Sequence, residues 1–280
     1  MNEKYVLITG ATNGIGAVAA KELARQGCRV TLVGRSQARC DDTVEEIRKE
    51  TGNVHVDSLV ADLSKKSEVE RLAAAVKERM PRLDVLVNNA GALFLDRRET
   101  EDGLERTFAL NHMAYFTLTA HLLDLLKKSA PARVVNVSSR AHTGGEMNFD
   151  DLQMKKQFSG TGAYANSKLA NVLFTTELAR RLEGTGVTAN ALHPGVVATN
   201  FGADNGWKTW FISVAFRVFG VTAEQGARTI VYLASSPDVA GTTGRYFYKE
   251  RESDVSKAAA DAKSAQRLWE VSAQLAGLPA

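Results

Sequence analysis

Short apolar runs alternate along this chain with longer stretches in which apolar positions recur every three or four residues. The short runs predict strands at 5–9, 30–34, 54–60, 85–88, 133–138 and 187–192, with a last one near 245–247. The first six are rich in Val, Leu or Ile, the composition of strands covered on both faces. The longer stretches predict helices over 15–26, 38–50, 67–80, 103–128, 163–182 and 223–235. Strand and helix in alternation imply right-handed crossovers and a parallel sheet. The expectation is α/β: one doubly wound parallel sheet of about seven strands with helices on both faces.

Two segments depart from the alternation. Residues 143–162 are polar and contain glycines, and 200–221 carry two tryptophans and several phenylalanines. Both follow strands, where ligands bind in open α/β sheets. The chain has no linker, repeat or low-complexity tract, so residues 1–280 read as a single domain. Within it, 200–221 is a candidate substrate loop and 250–280 a C-terminal helical extension.

Composition changes this picture little. The chain has 280 residues, 44% hydrophobic and 24% charged, with a net charge of +3. So small an excess gives no case for nucleic acid as a partner. Cys28 and Cys40 lack metal or redox spacing, which fits a reduced, cytoplasmic setting. No apolar run reaches transmembrane length, so membrane contact is not expected. The histidines at 112, 121, 142 and 193 are scattered among elements without consistent partners, and no metal site is read from them.

The first motif with chemistry is Thr9-Gly10-Ala11-Thr12-Asn13-Gly14-Ile15-Gly16, between the first strand and the first helix. Gly10 permits a tight turn, Gly14 a close backbone approach to a pyrophosphate, and Gly16 close packing of helix on strand. The helix start then offers free N–H groups and a positive dipole end to an anion.

The spacing is G-x-x-x-G-x-G, and here the chain resembles the short-chain dehydrogenase/reductase family, with its Rossmann-type fold and TGxxxGxG cofactor motif. Further matches follow in order: Asn88-Asn89-Ala90-Gly91, Asn111, Ser138-Ser139, Tyr164-Ala165-Asn166-Ser167-Lys168, and Pro194-Gly195 with Val197 and Thr199. The resemblance runs from Lys4 to about Phe247. Within the family, RVVNVSSRAH, NFDDL and AYANSKLANVLFTTELARRL resemble the retinol dehydrogenase-like branch.

The end of the second strand reads the adenosine ribose. An NAD(H)-specific site places a carboxylate there, whereas this chain has Gly34-Arg35-Ser36. A guanidinium suits a 2′-phosphate, so Arg35, with Arg39 one turn on, points to NADP(H) over NAD(H). One departure is Asn13, where many NADP-dependent members carry a basic residue. The resemblance implies that Asp62 bonds the adenine and that Leu63 offers backbone contacts. On its own terms Asp62 also reads as a cap or turn residue.

A phenol has a pKa near 10, so Tyr164 needs help to act as a base. Lys168, four residues later on the same predicted helix, shares its face. An ammonium there is expected to favour the phenolate, leaving Tyr164 as general base for alcohol oxidation or general acid for carbonyl reduction. Ser139 supplies a hydroxyl to polarise a carbonyl. Its choice over Ser138 rests on the resemblance, as does Lys168 holding the nicotinamide ribose. So do Asn111 in a water-linked proton relay, and Val197 and Thr199 at the carboxamide. The resemblance also implies a homodimer or homotetramer through the helices at 103–128 and 163–182. Residues 200–221 read either as a lid over a bulky apolar carbonyl or alcohol substrate, or as core-packing helical turns. A catalytically silent NADP(H) sensor or scaffold is the rival function, and the intact Ser139, Tyr164 and Lys168 argue against it.

Overall fold

A computed structural model describes residues 4–195 and 221–279, and in it the expected sheet forms around β1 (Tyr5–Thr9). The other strands are β2 (Arg29–Gly34), β3 (Val56–Val60), β4 (Val85–Asn88), β5 (Ala132–Val137), β6 (Val187–His193), β7 (Tyr246–Tyr248) and β8 (Arg251–Glu252). Their order across the sheet is β3-β2-β1-β4-β5-β6-β7-β8. All pairings are parallel except β7 with β8. The order reverses beside β1, between the crossovers to β2 and to β4. That puts a crevice at the carboxyl ends of β1 and β4, the switch point of the fold.

Helices cover both faces because both faces of the strands are apolar. On one side α1 (Gly14–Arg25), α2 (Gln37–Thr51) and a later helix at Ala223–Ser235 bury Leu23, Ile47 and Ile230 against Ile8, Leu32 and Val135. On the other lie α3 (Lys66–Arg79), a helical stretch made of α4 (Arg106–Phe108), a π turn (Ala109–Met113) and α5 (Ala114–Lys128), and α6 (Gly160–Arg181). These bury Leu72, Phe116 and Phe174 against Leu7, Leu86 and Val134. The helix at Ala223–Ser235 becomes α7, and α8 is Ala262–Ala276 in the C-terminal extension.

Three boundaries differ from the sequence reading by more than one residue, and one strand is added. The third strand starts at Val56, because Val54 lies 69% exposed before the strand. The long helix starts at Arg106: Gly103 sits in a turn with φ 72°, and the Glu105 carboxylate caps the Thr107 and Phe108 amides. Helix α6 starts three residues early, at Gly160, capped by Ser159. The two-residue β8 is an eighth strand, joined to β7 through Lys249 and Glu250, both at positive φ.

The extension lies against α5 and α6. Trp269 of α8 packs on Phe116 at 5.0 Å and Phe174 at 5.9 Å between ring centroids, with the Arg181 guanidinium 4.3 Å from its own ring centre. Ser272 of α8 meets the buried His112 ring at 2.9 Å. No helix among the described residues is long and apolar enough to cross a membrane.

Candidate active site

The glycine turn follows β1 at the carboxyl edge of the sheet. Gly10 has φ 65°, and a Cβ there would stand 2.7 Å from the Ala90 backbone. Any side chain at this position would therefore meet both strain and clash. Gly14 also has positive φ, at the first position of α1. A Cβ on Gly16 would meet Asn89 Nδ2 at 2.4 Å and the Gly10 carbonyl at 2.5 Å, so the packing expected for it is against Asn89 as much as against the strand. Asn13, the residue before α1, makes no side-chain cap, and Thr12 and Ile15 are half-buried beside it. That leaves the helix start for an anion to satisfy.

The Asn89 side chain braces the glycine turn. Its carboxamide donates to the Thr9 and Gly10 carbonyls at 2.8 and 3.0 Å, lashing the end of β4 to the glycine turn. Thr9, which sequence reasoning passed over, completes the lashing. Its hydroxyl accepts from the Asn89 and Ala90 amides at 2.9 and 3.1 Å and donates to the Val87 carbonyl. The signal was present, since Thr9 is a polar residue ending an otherwise apolar strand.

Arg35 is exposed at the end of β2. Its neighbour Gly34 is held against the cradle, where a Cβ would stand 2.5 Å from Thr12 Cγ2 and 2.8 Å from Cys40 Sγ. Ser36 precedes α2 and makes no side-chain cap. Asp62 accepts from the Ser64 amide and hydroxyl at 3.1 and 2.7 Å, the turn role read as its alternative. The Leu63 side chain is buried in the core, so only its backbone faces outward chemistry.

At the carboxyl end of β5, Ser138 turns its hydroxyl onto the Lys168 carbonyl at 2.7 Å. Ser139 opens a 3-10 turn (Arg140–Gly144) and accepts from the Ala141 amide at 3.2 Å. Its hydroxyl also hydrogen bonds to Tyr164. Tyr164 and Lys168 share a face of α6, with the ammonium 5.6 Å from the Tyr164 ring centre. Lys168 Nζ donates to the Val137 carbonyl at 3.0 Å. Gly91 borders the same space: a Cβ on it would lie 3.1 Å from Asn111 Oδ1 and 3.3 Å from Lys168 Nζ. The structure thus brings Gly91, Asn111, Ser139, Tyr164 and Lys168 together at one edge.

The electrostatics depart from the expected pattern. Burial pushes the Tyr164 phenol up to about 12, with the Ser139 hydrogen bond pulling the other way. Burial draws Lys168 down to about 7. In this geometry desolvation, not the Lys168 charge, governs Tyr164.

Asn111 is fully buried, in the π turn of the helical stretch 106–128. Its carboxamide pairs with both the amide and carbonyl of Ala92 at 2.9 Å and donates to Ser167 at 3.0 Å. Its backbone carbonyl accepts from Asn171 Nδ2 at 2.9 Å. Asn171 was missed by sequence reasoning, although it falls one helical turn after Lys168 on the same face. Pro194 and Gly195 follow β6, with Gly195 at φ 93°, where a Cβ would stand 2.6 Å from Val221 Cγ2. Val197, Thr199 and the loop up to residue 220 lie outside the described residues.

Comparison with known proteins agrees with this frame. Residues 4–208 match the short chain dehydrogenase family model. Human retinol dehydrogenase 14 is 43% identical, the alignment covering 99% of this chain and 88% of the relative. An uncharacterized protein from Mycobacterium paratuberculosis superposes with a TM-score of 0.80 at 34% identity, over 98% of this chain and 94% of the other. A short chain dehydrogenase from Burkholderia cenocepacia, solved in complex with NADP, gives 0.70 at 27% identity, over 87% and 95%. The chain therefore belongs to the short-chain dehydrogenase family, in its retinol dehydrogenase-like branch, and is a nicotinamide-dependent oxidoreductase acting on CH–OH and C=O groups.

Proposed function

We propose that this chain is an NADP(H)-preferring carbonyl reductase or alcohol dehydrogenase for a bulky apolar substrate of the retinal kind. The observation that carries the reading is the meeting of Ser139, Tyr164 and Lys168 at the carboxyl edge of the sheet, beside an uncapped helix start. The dinucleotide fits what the residues offer. The start of α1 suits the pyrophosphate, Arg35 beside the cradle suits a 2′-phosphate, and Asp62 keeps one oxygen free of the Ser64 turn for an adenine amino group. The cofactor of the Burkholderia relative supports the same preference. When bound, the nicotinamide supplies or accepts the hydride.

The protein's own part is proton handling. With its phenol up at about 12, Tyr164 holds its proton at neutral pH and is suited to donate it to the oxygen of a carbonyl being reduced. Ser139 donates to the same oxygen and stabilises its developing charge. Lys168, drawn down to about 7, can return a proton toward Tyr164, and Asn111 and Asn171 hold the backbone that borders it. A protonated Tyr164 suits reduction as the ready direction. Assembly through the side of α5 and α6 that carries Phe116 and Phe174 is closed by Trp269, so a homodimer or homotetramer would use other faces.

The test is oxidation of NADPH and of NADH with a panel of long-chain and retinoid aldehydes, comparing wild type with Tyr164→Phe. Turnover lost in the variant while NADPH binding persists supports the assignment. Full turnover by Tyr164→Phe would overturn it.

A further inference from the structure

His142 has no part in the proposed reaction, yet it is 1% exposed and engaged through both ring nitrogens. Nε2 lies 3.4 Å from the Ser256 backbone N–H, which can only donate. A nitrogen that accepts carries no hydrogen, so in the neutral ring the hydrogen sits on Nδ1. Nδ1 then donates to the Ser139 carbonyl at 2.8 Å. The two bonds select one tautomer, and each requires the other nitrogen to behave as it does.

The surroundings hold the ring in that setting. It packs at 61° on the buried Tyr246 ring, 4.8 Å between centroids. Ser256 is itself fixed by a turn: its carbonyl accepts from the Ala259 and Ala260 amides and its hydroxyl from the Ala259 amide. Burial holds the imidazole pKa below its usual value, which keeps the ring neutral and Nε2 able to accept. His142 is therefore a strut. One end bears on the backbone of the residue whose hydroxyl meets Tyr164, and the other on the C-terminal extension.

The position of Ser139 depends on its peptide. Its extended backbone aims the hydroxyl at Tyr164, while the carbonyl points to His142. The same carbonyl also accepts from the His142 backbone N–H at 3.1 Å, so ring and turn hold it jointly, and losing the ring bond loosens the Ser139 peptide and its hydroxyl without freeing them. A shift of this kind is felt in the transition state more than in ground-state binding.

We propose that His142 is a positioning residue for Ser139, set in its tautomer by the Ser256 amide, so that the C-terminal extension helps to aim the hydroxyl pair. The inference rests on Ser139 and Tyr164 being the groups that meet the reacting oxygen, so one arm of its test needs no turnover.

That arm is a ring-nitrogen correlation spectrum of the full chain labelled with 15N-histidine, with His142→Asn to assign the signal. The expected pattern is a neutral ring protonated at Nδ1. A neutral ring protonated at Nε2 would overturn the proposal. The second arm compares His142→Phe, which keeps the stacking but loses both nitrogens, with His142→Asn, which keeps a donor near Nδ1. The Phe variant should lose about tenfold or more in kcat for aldehyde reduction, with KM for NADPH within about twofold and the Asn variant recovering most of the loss. Wild-type kcat in the Phe variant, or an Asn variant as impaired as Phe, sinks the proposal. Absence of turnover in the wild type strikes the functional reading instead, and the spectrum still decides the strut.

Discussion

Lys168 Nζ donates to the carbonyl of Val137 at 3.0 Å, so the ammonium is tied to the last residue of β5 in a dry setting. Burial draws its pKa down to about 7, whereas Tyr164 stands at about 12. The protonated lysine is lost as pH rises through 7, well before the phenol ionises. In the free enzyme, kcat/KM for carbonyl reduction should be level below pH 7 and fall above it. Lys168→Met should remove that limb and cost about a hundredfold or more in kcat. A pH–rate series on both proteins checks this, and a wild-type profile flat to pH 9 refutes it.

Gly91 is the nearest point at which a single methyl enters the site. Added to it, a Cβ would press on Asn111 Oδ1 and Lys168 Nζ at 3.1 and 3.3 Å. Gly91→Ala should lower kcat by about tenfold while changing the melting temperature by only a few degrees, because φ there is not positive. Steady-state kinetics beside a thermal melt separate this from general destabilisation.

Arg35 stands exposed where β2 meets the cradle through Gly34 and Thr12. Arg35→Asp exchanges a donor for a 2′-phosphate for an acceptor of ribose hydroxyls. The ratio of kcat/KM for NADPH over NADH should drop by about a hundredfold. An unchanged ratio would place phosphate recognition elsewhere.

His112 is buried between Phe108 and Phe174 and bonded to Ser272 of the extension. Burial holds its pKa at about 4, below that of an unfolded histidine near 6.5. The unfolded chain therefore takes up this proton first. The stabilisation is full above about pH 6.5 and is lost as pH falls toward 4, amounting to about 3 kcal/mol. His193, also held at about 4, moves in the same direction. Urea midpoints from pH 7.5 to 4.5 should fall more steeply for wild type than for His112→Gln, and parallel curves would refute the assignment.

The parallel sheet was legible because β1, β2, β4, β5 and β6 are buried almost throughout and read as apolar runs, while the edge strand β3 still carries Val56, Leu59 and Val60. The helices between them ended within one residue of expectation wherever amphipathic periodicity set the end, as in α1, α2 and α3. Where a cap or turn set the end, periodicity misled: Glu105 and Ser159 decide the starts of α4 and α6. Strand β8 escaped notice since two exposed charged residues, Arg251 and Glu252, carry no alternation. In the site, Gly91, Asn111, Ser139, Tyr164 and Lys168 lie together at one edge, while Val197 and Thr199 lie outside the described residues. The supports did not show in sequence because their meaning is made in space. Asn171 reaches the Asn111 carbonyl from sixty residues away, and His142 meets Ser256 from 114.

Gly195 and Val221 touch at the two ends of one stretch of chain. The frame has thus brought the ends of that stretch together whatever lies between them. Loop closure grows only slowly with length, about 0.6 kcal/mol for each doubling. A change in the length of sequence joining these two points should therefore cost little in closure entropy, while the cradle, Tyr164 and Lys168 stay in register.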